Sequence, residues 1–520
     1  MWLLLILSLL FYFIVKSAYN LFLHPLCKIP GPRLAAATYL PEFYHDVVRH
    51  GLYIWEIDKM HQEYGPIVRI NPREIHVSDP AFYPEVYAHS ARKRDKDPRA
   101  VAIFGQSYSM AATVPHEHHR LRRQFLNSLF SRKSVLSLAP LFQEKVQLLA
   151  QRLKEAHHRR KHEKAIVQLD DAFSALTADT ISHYCYGTSF DFLRHPNFQN
   201  EVRIAVAEFS RLVHVSKFIA LPGKLIQQLP SSLMRWFKPQ LAVLFDIQDM
   251  VASRSSAASD STSAAKASGR GKQEAEGGKE DIGPRQTIFD ALTDPTTVPE
   301  AERAPHRVSA EGISMLLAAT ETTARSLSFA FYHMMRDKGI RDRLRGELAP
   351  LNLALDRPVS FAQLEKCGYL SGVVHEAVRF TCPLTRLPRV ARTETLVCHG
   401  HTIPPQTPIS ISSYYMNMNP AAFPEPQKFK PDRWIEAAAR GINLDQYMAS
   451  FTKGSRICIG INLAYMELYF AVAFLAIGFD MELYETPPEM LELVRDLGLA
   501  FPRDGDFSVQ ALITAVHFRG

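Results

Sequence analysis

The chain has 520 residues, of which 47% are apolar, 10% aromatic and 22% charged, as is typical of a globular protein with a large core. Its formal net charge of +7 is too mild over this length to indicate nucleic-acid binding. The cysteines show no paired spacing: Cys27, Cys185, Cys367, Cys382, Cys398 and Cys458. We therefore predict reduced thiols in a cytosolic environment instead of a disulfide framework.

The N-terminus begins with an apolar stretch. Residues 1–15 carry no charge, and a helix extended to Leu23 would span roughly 34 Å, enough for a hydrocarbon core of roughly 30 Å. A cleaved signal peptide is the alternative, but no Lys or Arg precedes Lys16 and bulky residues occupy 19–23. We therefore predict a retained single-pass transmembrane anchor over 1–23, with the rest of the chain in the cytosol.

Composition also predicts the domain boundaries. The prolines within 24–35 predict a stiff hinge after the anchor, because proline cannot continue a helix. Residues 252–283 are Ser, Ala, Gly, Lys and Glu with almost no bulky apolar residue, which predicts a disordered surface insertion. Helical patterns flank this insertion on both sides, so we expect one domain over 36–520.

Apolar periodicity predicts a mainly α fold with small β-sheets. A strand, a turn and a second strand are expected over 66–78. Apolar residues spaced by three or four predict helices through most of 116–250, including one over 169–186 that stops at Gly187. The other predictions are helices over 308–335, over 361–380 and from Ile461, and a proline-rich loop region over 381–457.

Several nucleotide and metal motifs are absent from the sequence. No G-x-G-x-x-G follows a strand, and no G-x-x-x-x-G-K-[ST] occurs, so nothing marks a site for NADPH, FAD or ATP. Residues 116–120 nearly spell the zinc-protease motif H-E-x-x-H, but Arg120 occupies the position of its second histidine.

One cysteine lies in a loop suited to a planar cofactor. Cys458 precedes an apolar helix, where the helix dipole favours a thiolate, and it has Gly454 and Gly460 on either side. Glycine permits tight turns and close backbone approach to a flat ligand. Arg456 is available for an anionic group. A single thiolate does not suit structural zinc, which takes four ligands, but it suits thiolate-ligated haem iron.

The same loop resembles the haem-binding signature of the cytochrome P450 family. Every fixed position of F-x-x-G-x-R-x-C-x-G is matched over 451–460. Three more signatures of that family occur in the expected order along the chain. They are a central-helix A-G-x-[DE]-T-T motif at 318–323, with Ala319 in place of glycine, E-x-x-R at 376–379, and F-x-P-x-R-W at 429–434. The resemblance covers essentially the whole chain. The residues around Cys458 are similar to those of family members from fungal secondary metabolism.

This resemblance implies a set of residues that hold haem b. Cys458 would be the axial ligand of the iron, Phe451 would shield its sulfur, and Gly454 would shape the loop. Arg456 and Arg389 would bind haem propionates. The family's W-x-x-x-R positions fall on His119 and Arg123, where the histidine can donate the hydrogen bond of the indole; a shift of register to Arg122 is the alternative.

The resemblance also implies catalytic, structural and substrate-contacting residues. Thr322 would hydrogen-bond dioxygen and Glu321 would relay protons, although Thr322 could instead only bond back to its own helix. In that family a local bulge at the A-G position makes room for dioxygen, and the extra methyl group of Ala319 would sit against this expected oxygen site. The buried structural triad would be Glu376, Arg379 and Arg433. The substrate contacts would be Phe104, Ala318 and Leu384. Asn417 stands where the family usually has histidine, with no role assigned.

Taken together, the resemblance implies a membrane-anchored haem-thiolate monooxygenase of the endoplasmic reticulum. It would insert one oxygen atom of dioxygen into a lipophilic substrate, by hydroxylation or epoxidation. Its electrons would come from a separate NADPH-cytochrome reductase. A haem-thiolate isomerase or dehydratase, which needs no reductase, is the alternative; such enzymes often lack the acid–threonine pair seen at Glu321 and Thr322. A haem binder without enzymatic activity is a third alternative.

Overall fold

The computed structural model describes residues 1–158, 166–218, 249, 251, 253, 287–381, 383 and 385–518. The insertion predicted over 252–283 lies outside these residues except for Ser253, and so does the predicted substrate contact Leu384. The described fold is mainly helical with small sheets, which confirms the predicted fold class.

The longer helices are numbered here in chain order. Those with eight or more residues are α1 (Trp2–Phe22), α2 (Tyr53–Tyr64), α3 (His116–Asn127), α4 (Ala139–His158), α5 (Leu169–Tyr186), α6 (Glu201–Leu212), α7 (Pro305–Arg336), α8 (Lys338–Leu348), α9 (Gly368–Phe380), α10 (Asp432–Ala439) and α11 (Ile461–Gly478). Short helices include Arg33–Ala37, Leu40–Phe43, Tyr83–Val86, Arg132–Leu136, Val215–Phe218, Ile288–Thr293, Phe361–Glu365 and Ser413–Asn417.

The strands are short and form small sheets. They are β1 (Ile67–Arg69), β2 (Ile75–Val77), β3 (Asp95–Lys96), β4 (Ile166–Gln168), β5 (Arg389–Val390), β6 (Leu396–Cys398), β7 (His401–Ile403), β8 (Pro408–Ser410), β9 (Phe479–Leu483), β10 (Leu493–Leu497), β11 (Leu499–Pro502) and β12 (Gln510–Val516). A five-stranded sheet has the order β1-β2-β8-β5-β3, and a three-stranded sheet has the order β4-β12-β9. The pairs β6–β7 and β10–β11 are antiparallel.

Most predicted elements on the described residues agree with the structure, although the region predicted as loop over 381–457 also holds β5–β8 and α10. The strand–turn–strand over 66–78 is β1 and β2, paired antiparallel with Ile67 opposite Val77. Helix α5 ends where Gly187 adopts a left-handed φ of 74°, a conformation that glycine reaches without strain. The single helix predicted over 361–380 is wrong. The chain forms two helices there, because the Glu347 carboxylate accepts hydrogen bonds from the free amides of Tyr369 and Leu370 at the start of α9.

The central helix α7 organises the core. Its 32 residues span roughly 48 Å at 1.5 Å per residue, and it packs against α5, α9 and α11. Helix α11 is apolar enough to cross a membrane, but 72% of its apolar window is buried, so it is a core helix. The chain enters α11 directly after Cys458, so this packing places the cysteine loop beside the middle of α7.

The N-terminal helix differs from α11 in its surroundings. Helix α1 has a mean hydropathy of 1.9, and none of its apolar window is buried. Its C-terminal end nevertheless packs on the globular part through Asn20, whose side chain donates to the carbonyl of Ala37 at 2.8 Å. The carbonyl of Asn20 accepts from the buried guanidinium of Arg69 at 2.8 Å. The end of α1 is thus tied to β1 and to the short helix Arg33–Ala37, which begins within the predicted hinge.

Candidate active site

The cysteine loop is held by backbone contacts. The amide of Cys458 donates to the carbonyl of Phe451 at 2.9 Å, which closes the loop. Gly454 has a φ of 74°, and a Cβ atom there would lie 2.2 Å from the carbonyl oxygen of Tyr87. No other residue fits this position, because both the left-handed backbone and the close approach require glycine. The loop geometry therefore depends on contacts with residues 87–88, far away in sequence.

The Cys458 side chain is exposed on the wall of a largely apolar cavity. Protein surrounds the thiol on its other sides, and this burial raises the pKa of Cys458. The Gly460 amide, which donates a hydrogen bond to the thiol, and the positive charge of Arg123 oppose that rise. The helix dipole expected to favour a thiolate is therefore outweighed by desolvation, so ionisation of this thiol would depend on a bound cation such as iron.

The cavity brings together most of the residues predicted for the site. It is lined mainly by apolar side chains from α7, from the end of α9, from the cysteine loop and from β10 and β11. The predicted residues that line it are Phe104, Ala318, Thr322, His119, Arg123, Arg389, Phe451, Arg456 and Cys458. Glu321, on another side of α7, and Gly454, which is packed against Tyr87 and Ala88, do not line it, and neither does the predicted structural triad.

Three arginines, of which Arg389 and Arg456 are buried, and a histidine line this cavity. Arg456 donates to the carbonyls of Thr113 at 2.8 Å and Val114 at 2.7 Å, and Arg389 donates to the carbonyl of Leu387 at 3.0 Å. Arg123 donates to the carbonyl of Ile457 at 2.5 Å. His119 is buried beside them, and burial together with the neighbouring cations lowers its pKa to about 2, so it is neutral.

The structure also distinguishes Arg123 from its neighbour Arg122. Arg122 points away from the cavity and donates to the Glu302 carboxylate at 2.8 Å and to the Thr113 hydroxyl at 2.8 Å. Arg123 lines the cavity and, within the described chain, forms no ion pair. The register with Arg123 as the cavity residue therefore agrees with the geometry.

Sequence reasoning missed a further cation, Lys96. It is 7% exposed, donates to the carbonyl of Ala111, and lies directly opposite Arg389 where β3 pairs with β5. Burial and the charges of Arg389 and Arg456 lower the pKa of Lys96 well below its usual range. Its local sequence, Arg94-Asp95-Lys96-Asp97, looks like a solvated charged turn, so only strand pairing identifies it.

These cations form a cluster that fits an anionic ligand. Like charges opposite each other in a sheet are unfavourable, and in the part of the chain that the structure describes Lys96, Arg123, Arg389 and Arg456 have no carboxylate within ion-pair distance. Burial and the neighbouring charge of Arg389 together lower the pKa of Arg456 to about 9. A haem carries two propionates on a flat apolar ring, so the thiol, the cations and the apolar lining together fit that group.

Replacing Lys96 by methionine should affect the haem-free and haem-bound protein in opposite directions. The change removes an unpaired buried cation, so we expect the haem-free protein to gain about 1 kcal/mol of unfolding free energy. It also removes a charge-assisted hydrogen bond to a propionate, so haem should transfer to apomyoglobin about 10-fold faster. Lys93→Met, at an exposed position nearby, is the control. Slower haem transfer in Lys96→Met would contradict the assignment.

Helix α7 forms the wall that carries the predicted catalytic pair. The helix is α-helical throughout 318–323, without the local bulge that the resemblance implies for the A-G position. Ala318 and Thr322 are exposed to the cavity, and the Thr322 hydroxyl donates to the carbonyl of Ala318 at 2.9 Å. This is the back-bonded alternative considered for Thr322, but its lone pairs can still accept a hydrogen bond.

Glu321, the predicted proton relay, lies outside the lining of the cavity. Successive residues on a helix are about 100° apart, so Glu321 points away from the face that carries Thr322. Its carboxylate accepts from the Ser174 hydroxyl at 2.9 Å, and lies 3.7 Å from the Arg203 guanidinium and 3.6 Å from that of Arg325. A proton-relay role for Glu321 would require this buried ion pairing to open.

A buried ion-pair network lies behind the cysteine loop. Glu376 and Arg379 are fully buried, and the Glu376 carboxylate accepts from Arg379 Nε at 2.8 Å and Nη2 at 2.9 Å. Arg433 Nε lies 3.2 Å from the same carboxylate, and the indole of Trp434 donates to it at 3.0 Å. The network joins α9 to the segment 424–434, as expected for the structural triad.

Asn417, for which the sequence suggested no role, links this network to the cysteine loop. Its Nδ2 donates to the carbonyl of Arg379 at 3.0 Å and to the Ser450 hydroxyl at 2.7 Å. Its Oδ1 accepts from the amide of Ala449 at 2.8 Å. Asn417 therefore ties the end of α9 to the chain that leads into Cys458.

Comparison with known proteins agrees with this geometry. The family model described as "Cytochrome P450" matches residues 38–505. The chain is 40% identical over 497 residues, 95% of its length and 92% of the relative's, to a protein of Fusarium sporotrichioides named cytochrome P450 monooxygenase TRI4. It is 40% identical over 498 residues, 96% of both chains, to conidiogenone synthase PchP450 of Penicillium rubens. It is 35% identical over 522 residues, 100% of this chain and 98% of the relative's, to N-acetyltryptophan 6-hydroxylase ivoC of Emericella nidulans.

Proposed function

Because the chain belongs to the cytochrome P450 family, we propose that it is a haem-thiolate monooxygenase that inserts one atom of dioxygen into a lipophilic substrate. One observation carries this proposal: an exposed thiol at Cys458 and an exposed hydroxyl at Thr322 line the same largely apolar cavity, which is also lined by the cluster of cations without carboxylate partners in the described chain. A thiol alone would be compatible with many functions, but the combination suits a haem with space for a substrate beside it.

Haem bound in this cavity would supply the iron that activates dioxygen, with thiolate donation favouring O–O cleavage. Cys458 would hold the iron from one side, and Arg123, Arg389, Arg456 and Lys96 would bind the propionates. Phe451 lies next to the thiol in the same loop and would limit solvent access to it. On α7, the Thr322 hydroxyl would donate to dioxygen by leaving its bond to the Ala318 carbonyl, and the small Ala318 side chain would leave space for the substrate.

The proposal includes an external source of electrons and a membrane location. No flavin or nicotinamide motif occurs in the sequence, so we propose a separate NADPH-cytochrome reductase as the partner. The exposed apolar helix α1 supports anchoring in a membrane, which we propose to be that of the endoplasmic reticulum with the catalytic domain in the cytosol. A lipophilic substrate would then partition into the same membrane.

We further propose a tailoring step in fungal secondary metabolism, acting on a terpenoid, polyketide or alkaloid scaffold. The relatives described above are fungal proteins named as a monooxygenase, a synthase of conidiogenone and a hydroxylase of N-acetyltryptophan. Their substrates differ, so they support the reaction class more strongly than any one scaffold. The cavity-facing Thr322 hydroxyl favours oxygen chemistry over the isomerase or dehydratase alternative, which has no need for it.

The carbon monoxide difference spectrum of dithionite-reduced membranes tests this proposal. We expect the strongly red-shifted Soret band of thiolate-ligated haem, and then, with added reductase, NADPH and heavy-isotope dioxygen, a product that carries one labelled oxygen atom. A band at the shorter wavelength of histidine-ligated haem would contradict Cys458 ligation. Conversion of a substrate without reductase and without label would favour the isomerase or dehydratase.

A further inference from the structure

A buried arginine lines the cavity close to Thr322. Arg325 lies on α7 three residues after Thr322, a step of about 4.5 Å along the helix axis. Its side chain is only 8% exposed, yet it belongs to the lining of the cavity. A buried guanidinium is costly unless its N–H groups find acceptors, so the surroundings of each of its nitrogen atoms matter.

Two of the three guanidinium nitrogens of Arg325 are directed at protein groups. Nη1 donates to the carbonyl of Ala500 on β11. Nε is fully buried and lies 3.6 Å from the Glu321 carboxylate, which is too far for a hydrogen bond. The guanidinium also lies over the Phe501 ring, with 4.4 Å between its central carbon and the ring centroid. These contacts restrict the orientation of the group.

The third nitrogen, Nη2, is left for a ligand. It donates to no atom in the part of the chain that the structure describes, and unlike Nε it is not fully buried. The nearby cavity hydroxyls of Ser326 and Thr381 are already used, because they bond to each other at 2.7 Å and Thr381 also donates to the carbonyl of Ala377. Arg325 therefore presents a free donor at this wall.

The charges around Arg325 favour a neutral acceptor over an anion. Three carboxylates face two cations in this part of the described chain, namely Glu321, Asp170 and Asp171 against Arg203 and Arg325. The group as a whole carries an excess negative charge, so a carboxylate bound at Nη2 would be repelled at short range. A carbonyl, hydroxyl or ether oxygen accepts the same hydrogen bond without that repulsion.

We propose that Arg325 is a substrate-binding residue, whose Nη2 donates a hydrogen bond to a neutral oxygen acceptor on an otherwise apolar substrate. This inference rests on the proposed monooxygenase function, which makes the cavity a substrate site. It narrows the substrate class to lipophilic molecules that already carry an oxygen function, such as a ketone, and disfavours plain hydrocarbons and carboxylates. Because Arg325 lies about one helical turn from Thr322, the bond would also fix which part of the substrate faces dioxygen.

The experiment measures the binding of three probes that share one bicyclic carbon skeleton: decalin, its ketone decalone, and decalincarboxylate. Dissociation constants for the haem-loaded protein come from the shift of the ferric Soret band on titration. We expect the ketone to bind about 10-fold more tightly than the hydrocarbon, as for a hydrogen bond to a charged donor, and the carboxylate more weakly than the ketone. In Arg325→Met the preference for the ketone should disappear. Arg336→Met removes an exposed arginine of the same helix and should keep it.

A second readout reports the hydrogen bond itself and needs no turnover. The infrared C=O band of bound decalone, labelled with heavy carbon at the carbonyl, should lie at a lower frequency in the wild type than in Arg325→Met, because a hydrogen bond weakens the C=O bond. A merely structural role of Arg325 would leave this band unshifted. Should Arg325→Met fail to fold, the double variant with Glu321→Gln replaces it, since it removes both members of the ion pair.

The outcomes separate this inference from the function on which it rests. A wild type without the thiolate-type carbon monoxide band would overturn the monooxygenase proposal itself. A normal band, with equal dissociation constants for ketone and hydrocarbon in the wild type, would overturn the role of Arg325 alone. Tightest binding of the carboxylate would also overturn it, because the site would then recognise an anion. A ketone preference that persists in Arg325→Met would assign the hydrogen bond to another donor, with the same consequence.

Discussion

Replacing Cys458 by alanine is expected to abolish the red-shifted carbon monoxide band and most of the haem content. No other described cysteine can take its place, because Cys185, Cys367 and Cys398 are buried elsewhere and Cys27 lies near the anchor. The fold should survive, since the loop is closed by the backbone bond from the Cys458 amide to the Phe451 carbonyl, which alanine keeps. The measurement is the carbon monoxide difference spectrum, normalised to folded protein by circular dichroism.

Two further variants sharpen this test. Cys458→His offers a different iron ligand at the same position, and we expect any carbon monoxide band to move to the shorter wavelength of histidine-ligated haem. Cys27→Ala removes an exposed cysteine distant from the cavity and should leave the wild-type band. A red-shifted band in Cys458→Ala would show that another group binds the iron, and the assignments of Phe451 and Arg456 would then fail as well.

Replacing Glu376 by alanine is expected to cost about 3–5 kcal/mol of unfolding free energy. The change leaves Arg379 and Arg433 without their shared buried carboxylate, and it removes the acceptor of the Trp434 indole. Domains are commonly stable by about 5–15 kcal/mol, so this loss is a large part of the total. Because Arg379 is linked through Asn417 to the cysteine loop, we expect no haem-loaded protein.

The control for this prediction is an exposed ion pair. Glu117 pairs with Lys93 on the surface at 2.6 Å, with both side chains more than half exposed, so Glu117→Ala should leave the unfolding free energy nearly unchanged. Urea unfolding and haem content of purified protein are the measurements. Soluble Glu376→Ala protein with full haem content would refute a structural role for the buried network.

Much of the fold was predictable because its signals are local. The ends of α5 and the pairing of β1 with β2 follow from glycine, turn residues and apolar spacing within short windows. The single helix predicted over 361–380 was wrong because its break depends on Glu347, a residue outside the window that caps α9. Roles that depend on bound haem, at Cys458 and the cations, stay predictions for the experiments above.

Side-chain direction on helices was the weakest point of the sequence reasoning at the site. Adjacent residues on a helix differ by about 100° in direction, so the sequence left Arg122 and Arg123 as alternatives. The structure separates them, because Arg122 binds Glu302 and Arg123 faces the cavity. For the same reason, the Glu321 side chain points away from the face of α7 that carries Thr322 and toward Arg203.

The sequence by itself determined the family, the mainly α fold and the position of the cysteine loop, because glycine geometry and short-range spacing are encoded within a few neighbouring residues. Only the tertiary structure decided which buried charges are compensated. Lys96 meets Arg389 across strands that lie almost 300 residues apart in the chain. Desolvation and charge pairing depend on distances in space, so no local pattern could predict the cation cluster.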